Sequence, residues 1–408
     1  MNNISLESLQ KLEQEYLCST YGRYPIAVKS AQGFTLTDYQ DREYTDLLAG
    51  ISVCNLGHCH PEVSEAICAQ AQKLVHSSNL FYQKEQLDLA RELLATCGLD
   101  RVFFCNSGAE ANEGAIKATR RYMNLIRKED KHKIITLKNS FHGRTMATLS
   151  ATGQDKIKEG FAPLLPGFAH AEPNDKEDLI RVLTRDTAAI MLEVIQGEGG
   201  VIPLEREYLD FIRKLCRERG LLLIVDEVQT GMGRTGRFWA HEHFGLRPDI
   251  ITSAKALAGG LPMGAVMFKK EVAEAFGPGS HATTFGGSPL VCAAALKVLE
   301  IMDRDGLVQR SAKTGAYGRD LLDRTRERTG DMIEEIRGMG LMLGVKLSFP
   351  GKGVWQRLLE KGFVLNLTQE CVLRLLPPLN IPGRELDRFA AALEEILEEE
   401  RKKPESGD

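Results

Sequence analysis

Residues 221–229, Leu-Leu-Leu-Ile-Val-Asp-Glu-Val-Gln, and residues 249–255, Asp-Ile-Ile-Thr-Ser-Ala-Lys, decide the fold of this chain. The first five residues form an unbroken apolar run, which is typical of a strand buried on both faces of a parallel sheet. Asp226 follows that run directly, and ligands of open α/β sheets bind beyond the carboxyl ends of the strands. The second segment predicts a strand that ends just before Lys255. We therefore expect Asp226 and Lys255 to face one crevice.

This pair of charges suits pyridoxal phosphate. A lysine at the edge of a sheet can bind that cofactor as a Schiff base, and a carboxylate can keep its pyridine nitrogen protonated, so that the ring accepts electrons. Each residue alone has an ordinary explanation, because acidic residues after strands are often solvated and most lysines lie on the surface. Together they predict Lys255 as the catalytic base and Asp226 as the partner of the ring nitrogen.

Two segments resemble the hallmark sequences of the class III pyridoxal-phosphate aminotransferases: residues 226–231, Asp-Glu-Val-Gln-Thr-Gly, and residues 253–260, Ser-Ala-Lys-Ala-Leu-Ala-Gly-Gly. The resemblance covers nearly the whole chain and is strongest to the acetylornithine and ornithine group. It implies a fold type I architecture, an α/β fold with a mostly parallel central sheet, helices on both faces, and a smaller α+β domain built from both chain ends. It also implies a homodimer with shared active sites.

The composition favours a globular enzyme over a nucleic-acid-binding or membrane protein. The 408 residues carry a formal net charge of −4 and contain no Lys/Arg-rich run interleaved with aromatic residues, so we expect no nucleic-acid partner. No apolar stretch reaches the roughly 20 residues of a membrane-spanning helix, and the polar start does not resemble a signal peptide. Nine cysteines without a Cys-x-x-Cys motif predict reduced thiols in the cytoplasm. His58 and His60 lack a third ligand nearby, so no metal site is expected.

A phosphate-binding loop is predicted at residues 106–109, Asn-Ser-Gly-Ala. These residues separate a predicted strand, 101–105, from a predicted helix, 109–127. The free N–H groups at the start of a helix attract phosphate, although a plain tight turn is the alternative. The family resemblance assigns the cofactor phosphate to Ser107, Gly108 and Ala109.

The segment 139–145, Asn-Ser-Phe-His-Gly-Arg-Thr, follows the predicted strand 133–137. Phe141 could stack on a flat ring, and Arg144 could bind a carboxylate through two hydrogen bonds. A core phenylalanine and a surface arginine are the alternatives. In the family that this chain resembles, the corresponding residues stack on the cofactor and bind the α-carboxylate of the substrate.

The resemblance assigns further roles that spacing alone does not indicate. Gln229 is expected to bind the ring hydroxyl of the cofactor. Thr284 is expected to bind the cofactor phosphate of the neighbouring subunit. Arg374 is expected to bind the α-carboxylate of glutamate, and Glu198 to pair with Arg374 while an ω-amino donor is bound. A solvated Glu198 in a glycine-rich loop is the alternative.

Tyr21 and Thr283 complete the predicted substrate contacts. The chain departs from the family pattern at three positions: Val194 stands where proline is usual, Ala282 where glycine is usual, and Ser288 where asparagine is usual. These departures concern the conformation of loops.

Residues 231–236, Gly-Met-Gly-Arg-Thr-Gly, formally match a dinucleotide-binding fingerprint. We reject that interpretation, because the first glycine does not follow the strand directly. Asp226 and Glu227 intervene where they would repel a pyrophosphate, and no long helix is predicted after Gly236.

The chain is predicted to divide into two domains. Residues 1–50 and 303–400 form the small domain, residues 51–302 form the large cofactor-binding domain, and residues 401–408 form a polar tail. The last strand of the large sheet, which ends at Phe268, is predicted to be antiparallel.

The resemblance implies transamination between N2-acetylornithine and 2-oxoglutarate, which belongs to arginine biosynthesis. Succinylornithine, ornithine, 4-aminobutyrate or an amine of lysine biosynthesis are alternative donors, and an aminomutase or decarboxylase could use the same core. A non-catalytic pyridoxal-phosphate-binding protein is the alternative from another class. It is disfavoured because Lys255, Asp226 and Arg144 are all present and no DNA-binding segment is appended.

Overall fold

A computed structural model describes residues 4–402. Of the predicted polar tail, residues 403–408 lie outside the described residues. The strands in residues 4–402 are β1 (Val28–Gln32), β2 (Thr35–Asp38), β3 (Glu43–Asp46), β4 (Arg101–Cys105), β5 (Lys133–Leu137), β6 (Phe168–Ala171), β7 (Thr187–Leu192), β8 (Ile195–Gln196), β9 (Ile202–Pro203), β10 (Leu222–Asp226), β11 (Ile250–Ser253), β12 (Gly264–Phe268), β13 (Ile333–Met339), β14 (Met342–Leu347), β15 (Phe363–Val364), β16 (Asn366–Thr368) and β17 (Val372–Leu375).

The α-helices of the same residues are α1 (Leu6–Tyr16), α2 (Pro61–Lys73), α3 (Lys84–Ala95), α4 (Gly108–Arg121), α5 (Met146–Ala151), α6 (Lys176–Val182), α7 (Arg206–Arg219), α8 (Lys270–Ala273), α9 (Pro289–Arg304), α10 (Leu307–Thr329), α11 (Lys352–Glu360) and α12 (Gly383–Arg401). The four residues Ala49–Ser52 form a separate turn with left-handed backbone angles. Along residues 4–402, no helix combines the length and the apolar character needed to cross a membrane.

Within residues 4–402, seven strands form the central sheet in the order β4-β12-β11-β10-β7-β5-β6. The pairs β5–β6, β5–β7, β7–β10 and β10–β11 are parallel. Strand β12 is antiparallel to both of its neighbours, β11 and β4, which confirms the predicted orientation of this strand. Every residue of β7 and of β10 is buried, as expected for central strands of a sheet covered on both faces.

Helices cover both faces of this sheet, because alternate residues of one strand contribute to two apolar clusters. In β10, Leu223 and Val225 belong to the cluster that contains Leu209 and Ile212 of α7. Leu222 and Ile224 belong to the cluster that contains residues of α4, among them Ala115. The period of two along the strand therefore places α7 and α4 on opposite faces. The α/β architecture that the sequence predicts is present.

Two smaller sheets involve the ends of the chain. One has the order β1-β2-β3-β15 and thus joins strands from the N-terminal and C-terminal regions. The other has the order β13-β14-β17-β16. The sequence predicts a single strand over residues 363–367, but the structure divides this segment between the two sheets, as β15 and β16. The division of the chain into domains at residues 50 and 302 stays a prediction.

Two elements near the large sheet differ from what the sequence pattern predicts. The sequence does not predict strand β6, because its residues, Phe-Ala-His-Ala, are neither strongly apolar nor alternating. The helix predicted over 109–127 ends at Arg121 and continues as a π-helical segment, Tyr122–Arg127. Both differences lie away from the carboxyl ends of the strands that carry the predicted site.

Candidate active site

A cavity of about 420 Å³ lies at the carboxyl edge of the central sheet. It contains side chains that follow β4, β5, β10 and β11, which is the position that an α/β sheet offers to ligands. Nine of the thirteen predicted site residues line it: Ser107, Gly108, Ala109, Phe141, Arg144, Glu198, Asp226, Gln229 and Lys255. The chain thus brings most of the predicted site together from segments more than 100 residues apart.

Asp226, the last residue of β10, is buried and fully hydrogen-bonded. Its Oδ2 accepts a hydrogen bond from Nδ2 of Asn112 at 2.8 Å and lies 2.8 Å from Nδ1 of His142. Its Oδ1 accepts a hydrogen bond from the backbone N–H of Val228 at 3.0 Å. These three contacts fix the position of the Asp226 carboxyl group at the wall of the cavity.

Two buried groups beside Asp226 have shifted pKa values. Burial opposes the charged form of His142, but the bond to Asp226 and the charges of Asp226 and Glu193 outweigh it and raise the pKa of the imidazole. Burial raises the pKa of Glu193 to about 7, although the charge of His142 opposes this shift. Glu193 accepts a hydrogen bond from the backbone N–H of Phe141 at 3.0 Å. Glu193 is thus a carboxyl group that titrates near neutral pH.

The predicted phosphate loop forms the start of helix α4. Ser107 is the N-cap residue, and its Oγ accepts a hydrogen bond from the backbone N–H of Glu110 at 3.2 Å. Gly108 is tightly enclosed, since a Cβ at this position would lie 2.7 Å from Cγ1 of Val228. A helix start offers N–H groups and a partial positive charge to an anion. The loop therefore has the geometry of a phosphate cradle.

Lys255 follows β11 closely and adopts a left-handed φ of 42°. Such angles are uncommon outside glycine and are concentrated at functional sites. Burial lowers the pKa of the Lys255 amine below its ordinary value of 10.5, while the charge of Glu198 opposes the shift. A lowered pKa increases the fraction of Lys255 that is present as the neutral amine, which is the form that attacks a carbonyl group.

Phe141 and Arg144 lie together at the wall of the cavity. The guanidinium carbon of Arg144 is 5.5 Å from the centre of the Phe141 ring. Arg144 is exposed, and it forms no ion pair with any residue from 4 to 402. An unpaired guanidinium at a cavity wall can bind a carboxylate.

Glu198 covers a second arginine. Its Oε1 lies 2.6 Å from Nη1 of Arg374, and it accepts a hydrogen bond from Nε2 of Gln229 at 3.2 Å. Arg374 is fully buried and also donates to Oδ1 of Asn366 at 2.8 Å. Burial opposes ionisation of Glu198, but Arg374 outweighs this effect and lowers the pKa of the carboxyl group. Arg374 is therefore separated from the cavity by Glu198, which lines it.

Four predicted residues do not line the cavity: Arg374, which is buried beside Glu198, and Tyr21, Thr283 and Thr284. Tyr21 is exposed and contacts Arg23 through its ring. Thr284 is exposed to solvent. Thr283 does not line the cavity, but its Oγ1 accepts a hydrogen bond from Nδ2 of Asn106, which does line it, at 3.0 Å.

Residues 16–397 match the family described as Aminotransferase class-III. The chain belongs to this family of aminotransferases. The aminotransferase is 46% identical to an acetylornithine aminotransferase of Methanocaldococcus jannaschii, over 98% of this chain and 100% of the relative. It is 45% identical to an acetylornithine aminotransferase of Bacillus subtilis, over 93% of this chain and 97% of the relative.

Solved structures give the same family and fold. The ornithine aminotransferase of Toxoplasma gondii has a TM-score of 0.95 and 34% identity to this chain, and the alignment covers 99% of this chain and 97% of that one. The acetylornithine aminotransferase of Elizabethkingia anophelis has a TM-score of 0.87 and 32% identity, with 97% and 99% coverage. The aminotransferase therefore has the fold type I architecture that the sequence predicts.

Class III aminotransferases use pyridoxal phosphate, and the cavity of this aminotransferase fits that cofactor. A helix start can hold the phosphate at Gly108, a position whose close contact with Val228 leaves no room for a side chain. The buried carboxylate of Asp226 matches a protonated pyridine nitrogen. The Lys255 amine has the lowered pKa that attack on the cofactor aldehyde requires.

Sequence reasoning missed three buried polar residues of this site, Asn112, His142 and Glu193. His142 and Glu193 lie inside segments that were recognised, but a single sequence does not show which neighbours face inward. Asn112 had a detectable signal, because it lies on the face of α4 that otherwise buries alanines such as Ala111 and Ala115. A polar residue on an apolar helix face indicates a specific hydrogen-bonding partner.

Proposed function

We propose that this aminotransferase moves the ω-amino group of N2-acetyl-L-ornithine to 2-oxoglutarate. The products are N-acetyl-L-glutamate 5-semialdehyde and L-glutamate, and the reaction belongs to arginine biosynthesis in the cytoplasm. The observation that carries this proposal is the 2.6 Å ion pair between Glu198 and Arg374. Because this pair cancels one positive charge, a donor with one carboxylate and a neutral acetamide end meets no unpaired cation there. The names of the similar curated proteins point to the same donor.

Within this proposal, pyridoxal phosphate would supply an electron sink for the electron pair left when the substrate carbon loses its proton. The Lys255 amine would hold the cofactor and would serve as the base that carries that proton. Asp226 keeps the ring nitrogen protonated. The remaining contacts with the cofactor would come from Ser107, Gly108, Ala109, Phe141, Gln229 and the Thr284 of a second subunit.

The two arginines would serve two different substrates in one pocket. Arg144 binds the carboxylate of the ω-amino donor, since it faces the cavity without an ion-pair partner among residues 4–402. Arg374 binds the α-carboxylate of glutamate or the corresponding carboxylate of 2-oxoglutarate after Glu198 turns aside. The lowered pKa of Glu198 supports this exchange, because the carboxylate stays charged whenever it covers Arg374.

A homodimer completes the proposed site. Thr284 is exposed and does not line the cavity of its own chain, so it is free to bind a phosphate in a partner. Beside it lies a surface with six exposed apolar side chains, which are Leu74, Val75, Leu80, Phe81, Tyr82 and Phe285. Asn79 ties this surface to the loop that carries Thr284, through a 3.0 Å hydrogen bond to the carbonyl of Gly286. Exposed apolar surfaces of this kind mark protein–protein contacts.

Ornithine is the second candidate donor, and the TM-score of 0.95 to the Toxoplasma gondii ornithine aminotransferase favours it. The two donors differ at one nitrogen, which carries a positive charge in ornithine and a neutral acetyl amide in N2-acetylornithine. The choice between the two donors therefore depends on whether the part of the pocket that binds the substrate carboxylate also accepts a positively charged nitrogen beside it.

Steady-state rates with a panel of donors test the proposal. The panel contains N2-acetylornithine, N2-succinylornithine, ornithine and 4-aminobutyrate, each with 2-oxoglutarate. We expect the highest kcat/KM for N2-acetylornithine. A higher kcat/KM for ornithine or 4-aminobutyrate would assign the enzyme to that donor instead.

A further inference from the structure

The four residues Ala49–Ser52 form a left-handed turn beside the cavity. Their φ angles are 48° for Ala49, 64° for Gly50, 64° for Ile51 and 63° for Ser52. Three of the four are not glycine, and β-branched residues such as Ile51 are especially disfavoured in this region. A run of this kind persists only where the surrounding structure holds it in place.

Asp46 holds the beginning of this turn. Its Oδ1 accepts hydrogen bonds from the backbone N–H groups of Leu48, at 2.8 Å, and Ala49, at 2.9 Å. Its Oδ2 lies 2.6 Å from Nε2 of His58. Only 2% of Asp46 is exposed. A buried carboxylate that is oriented by an imidazole therefore fixes the two N–H groups that enter the turn.

Arg234 holds the end of the turn. Its Nε donates a hydrogen bond to Oγ of Ser52 at 2.9 Å, and Ser52 Oγ donates to the carbonyl of Gln229 at 3.2 Å. Arg234 is completely buried. Its other nitrogens donate to Oδ1 of Asn55 at 2.6 Å and to two main-chain carbonyls from the C-terminal part of the chain. The guanidinium thus links the turn to three other segments.

The turn reaches the cavity through two of its neighbours. Val53 follows the turn directly and lines the cavity. Gln229, whose carbonyl binds Ser52, lines the cavity and donates to Glu198 at 3.2 Å. Asp46, His58 and Arg234 themselves do not line it. These three residues therefore contact the wall of the cavity only indirectly, through the turn and its neighbours Val53 and Gln229.

We propose that Asp46, His58 and Arg234 are positioning residues that clamp the left-handed turn and so fix Val53 and Gln229 at the wall of the donor pocket. When one of these three residues is replaced, Val53 and Gln229 become more mobile, although no residue that lines the cavity has been removed. The expected effect is a higher KM for the ω-amino donor, with a smaller change in kcat. The substrate part of this inference rests on the proposed function, whereas the clamp itself does not.

A matched pair of glycine substitutions tests the clamp. Ser52→Gly and Ala49→Gly both place glycine at a left-handed position, so both relieve the same backbone strain. Only Ser52→Gly removes the hydroxyl that Arg234 binds. We expect Ser52→Gly to raise the KM of the donor about 3- to 10-fold, the effect of one hydrogen bond, and to speed deuterium exchange at the amides of residues 50–54. Ala49→Gly should change neither quantity by more than about 2-fold.

The other end of the clamp gives a second variant. His58→Asn should increase deuterium exchange over the same amides, because it releases Asp46. Equal exchange and equal KM for Ser52→Gly and Ala49→Gly would overturn the proposal and leave the turn as a structural feature only. Deuterium exchange needs no substrate, so it decides the clamp even if another donor is found for the enzyme.

Discussion

Asp226 receives three hydrogen bonds in a buried environment, from Asn112, Val228 and the imidazole of His142. Asp226→Asn keeps a side chain of the same shape but removes the charge that a protonated pyridine nitrogen requires. We expect cofactor binding to weaken modestly and kcat to fall by about 100-fold or more. Cofactor dissociation constants and kcat measured on the same preparation separate the two effects. Unchanged kcat would make Asp226 a structural residue.

Glu198 and Arg374 form the ion pair that we propose distinguishes the two half-reactions. Glu198→Ala leaves Arg374 uncovered, which disfavours the neutral end of the ω-amino donor but not the carboxylate of glutamate. A hydrogen bond to a charged group is worth roughly 1.5–3 kcal/mol, so the ratio of the two half-reaction rates should shift by about 10- to 150-fold towards glutamate. Single-turnover stopped-flow measurements with each donor give this ratio, and Arg374→Ala should shift it the opposite way. Equal losses in both halves would rule out the switch.

Glu193 makes the stability of the cofactor-free protein depend on pH. Its pKa is raised from 4.5 in an unfolded chain to about 7 in the folded protein. The folded state therefore keeps a proton that the unfolded state has lost, and stability falls as pH rises from about 4.5 to about 7. Glu193→Gln should remove this contribution and flatten the decrease. Melting temperatures of the two cofactor-free proteins between pH 5 and pH 8 test this, and parallel curves would contradict it.

At the scale of elements, the start of helix α4 carries the phosphate loop. Gly108→Ala places a methyl group against Val228, because a Cβ there lies 2.7 Å from Cγ1 of Val228. We expect the helix start to shift and the affinity for pyridoxal phosphate to fall about 10-fold, the effect of roughly 1.4 kcal/mol. Gly353→Ala is the control, since Gly353 lies in helix α11 with open space around its Cβ position. Fluorescence titration of the cofactor-free proteins measures both, and equal affinities would exclude the cradle at Gly108.

The elements that the sequence predicts best are those with an unmistakable pattern. Leu221–Val225 is continuous and apolar, so the sequence predicts both the central strand and the charge at its end. The division of residues 363–367 between two sheets cannot be predicted in this way, because one apolar run does not show that its two ends pair with different strands. Strand β6 has too few apolar residues to be recognised.

The same difference applies to the site, where the sequence locates some residues but not the contacts between them. Residues at strand ends, such as Asp226 and Lys255, can be located from the sequence because a parallel sheet brings its carboxyl ends together. The hydrogen bonds of Asp226 with Asn112 and His142 depend on how helix α4 and the 139–145 loop pack, which no local pattern encodes. The left-handed turn at Ala49–Ser52 is hidden for the same reason, since three of its residues do not favour that conformation.

At the scale of the whole molecule, the proposed active site needs two chains. Sedimentation velocity at assay concentrations should give a dimer or a multiple of a dimer. Thr284→Ala should weaken cofactor binding without dissociating the dimer, because it removes only a hydroxyl at the edge of the contact. Tyr82→Asp, which places a charge at a fully exposed apolar position, should weaken association and activity together. A fully active monomer would contradict the shared site.

In the proposed reaction, the ω-amino nitrogen of N2-acetylornithine becomes the amino nitrogen of glutamate. Mass spectrometry of the products tests it most directly, with N2-acetyl-L-ornithine labelled with ¹⁵N at the δ-amino group and unlabelled 2-oxoglutarate. We expect ¹⁵N-labelled L-glutamate in an amount equal to the N-acetyl-L-glutamate 5-semialdehyde formed. Unlabelled glutamate, or no glutamate while the labelled donor remains intact, would contradict it.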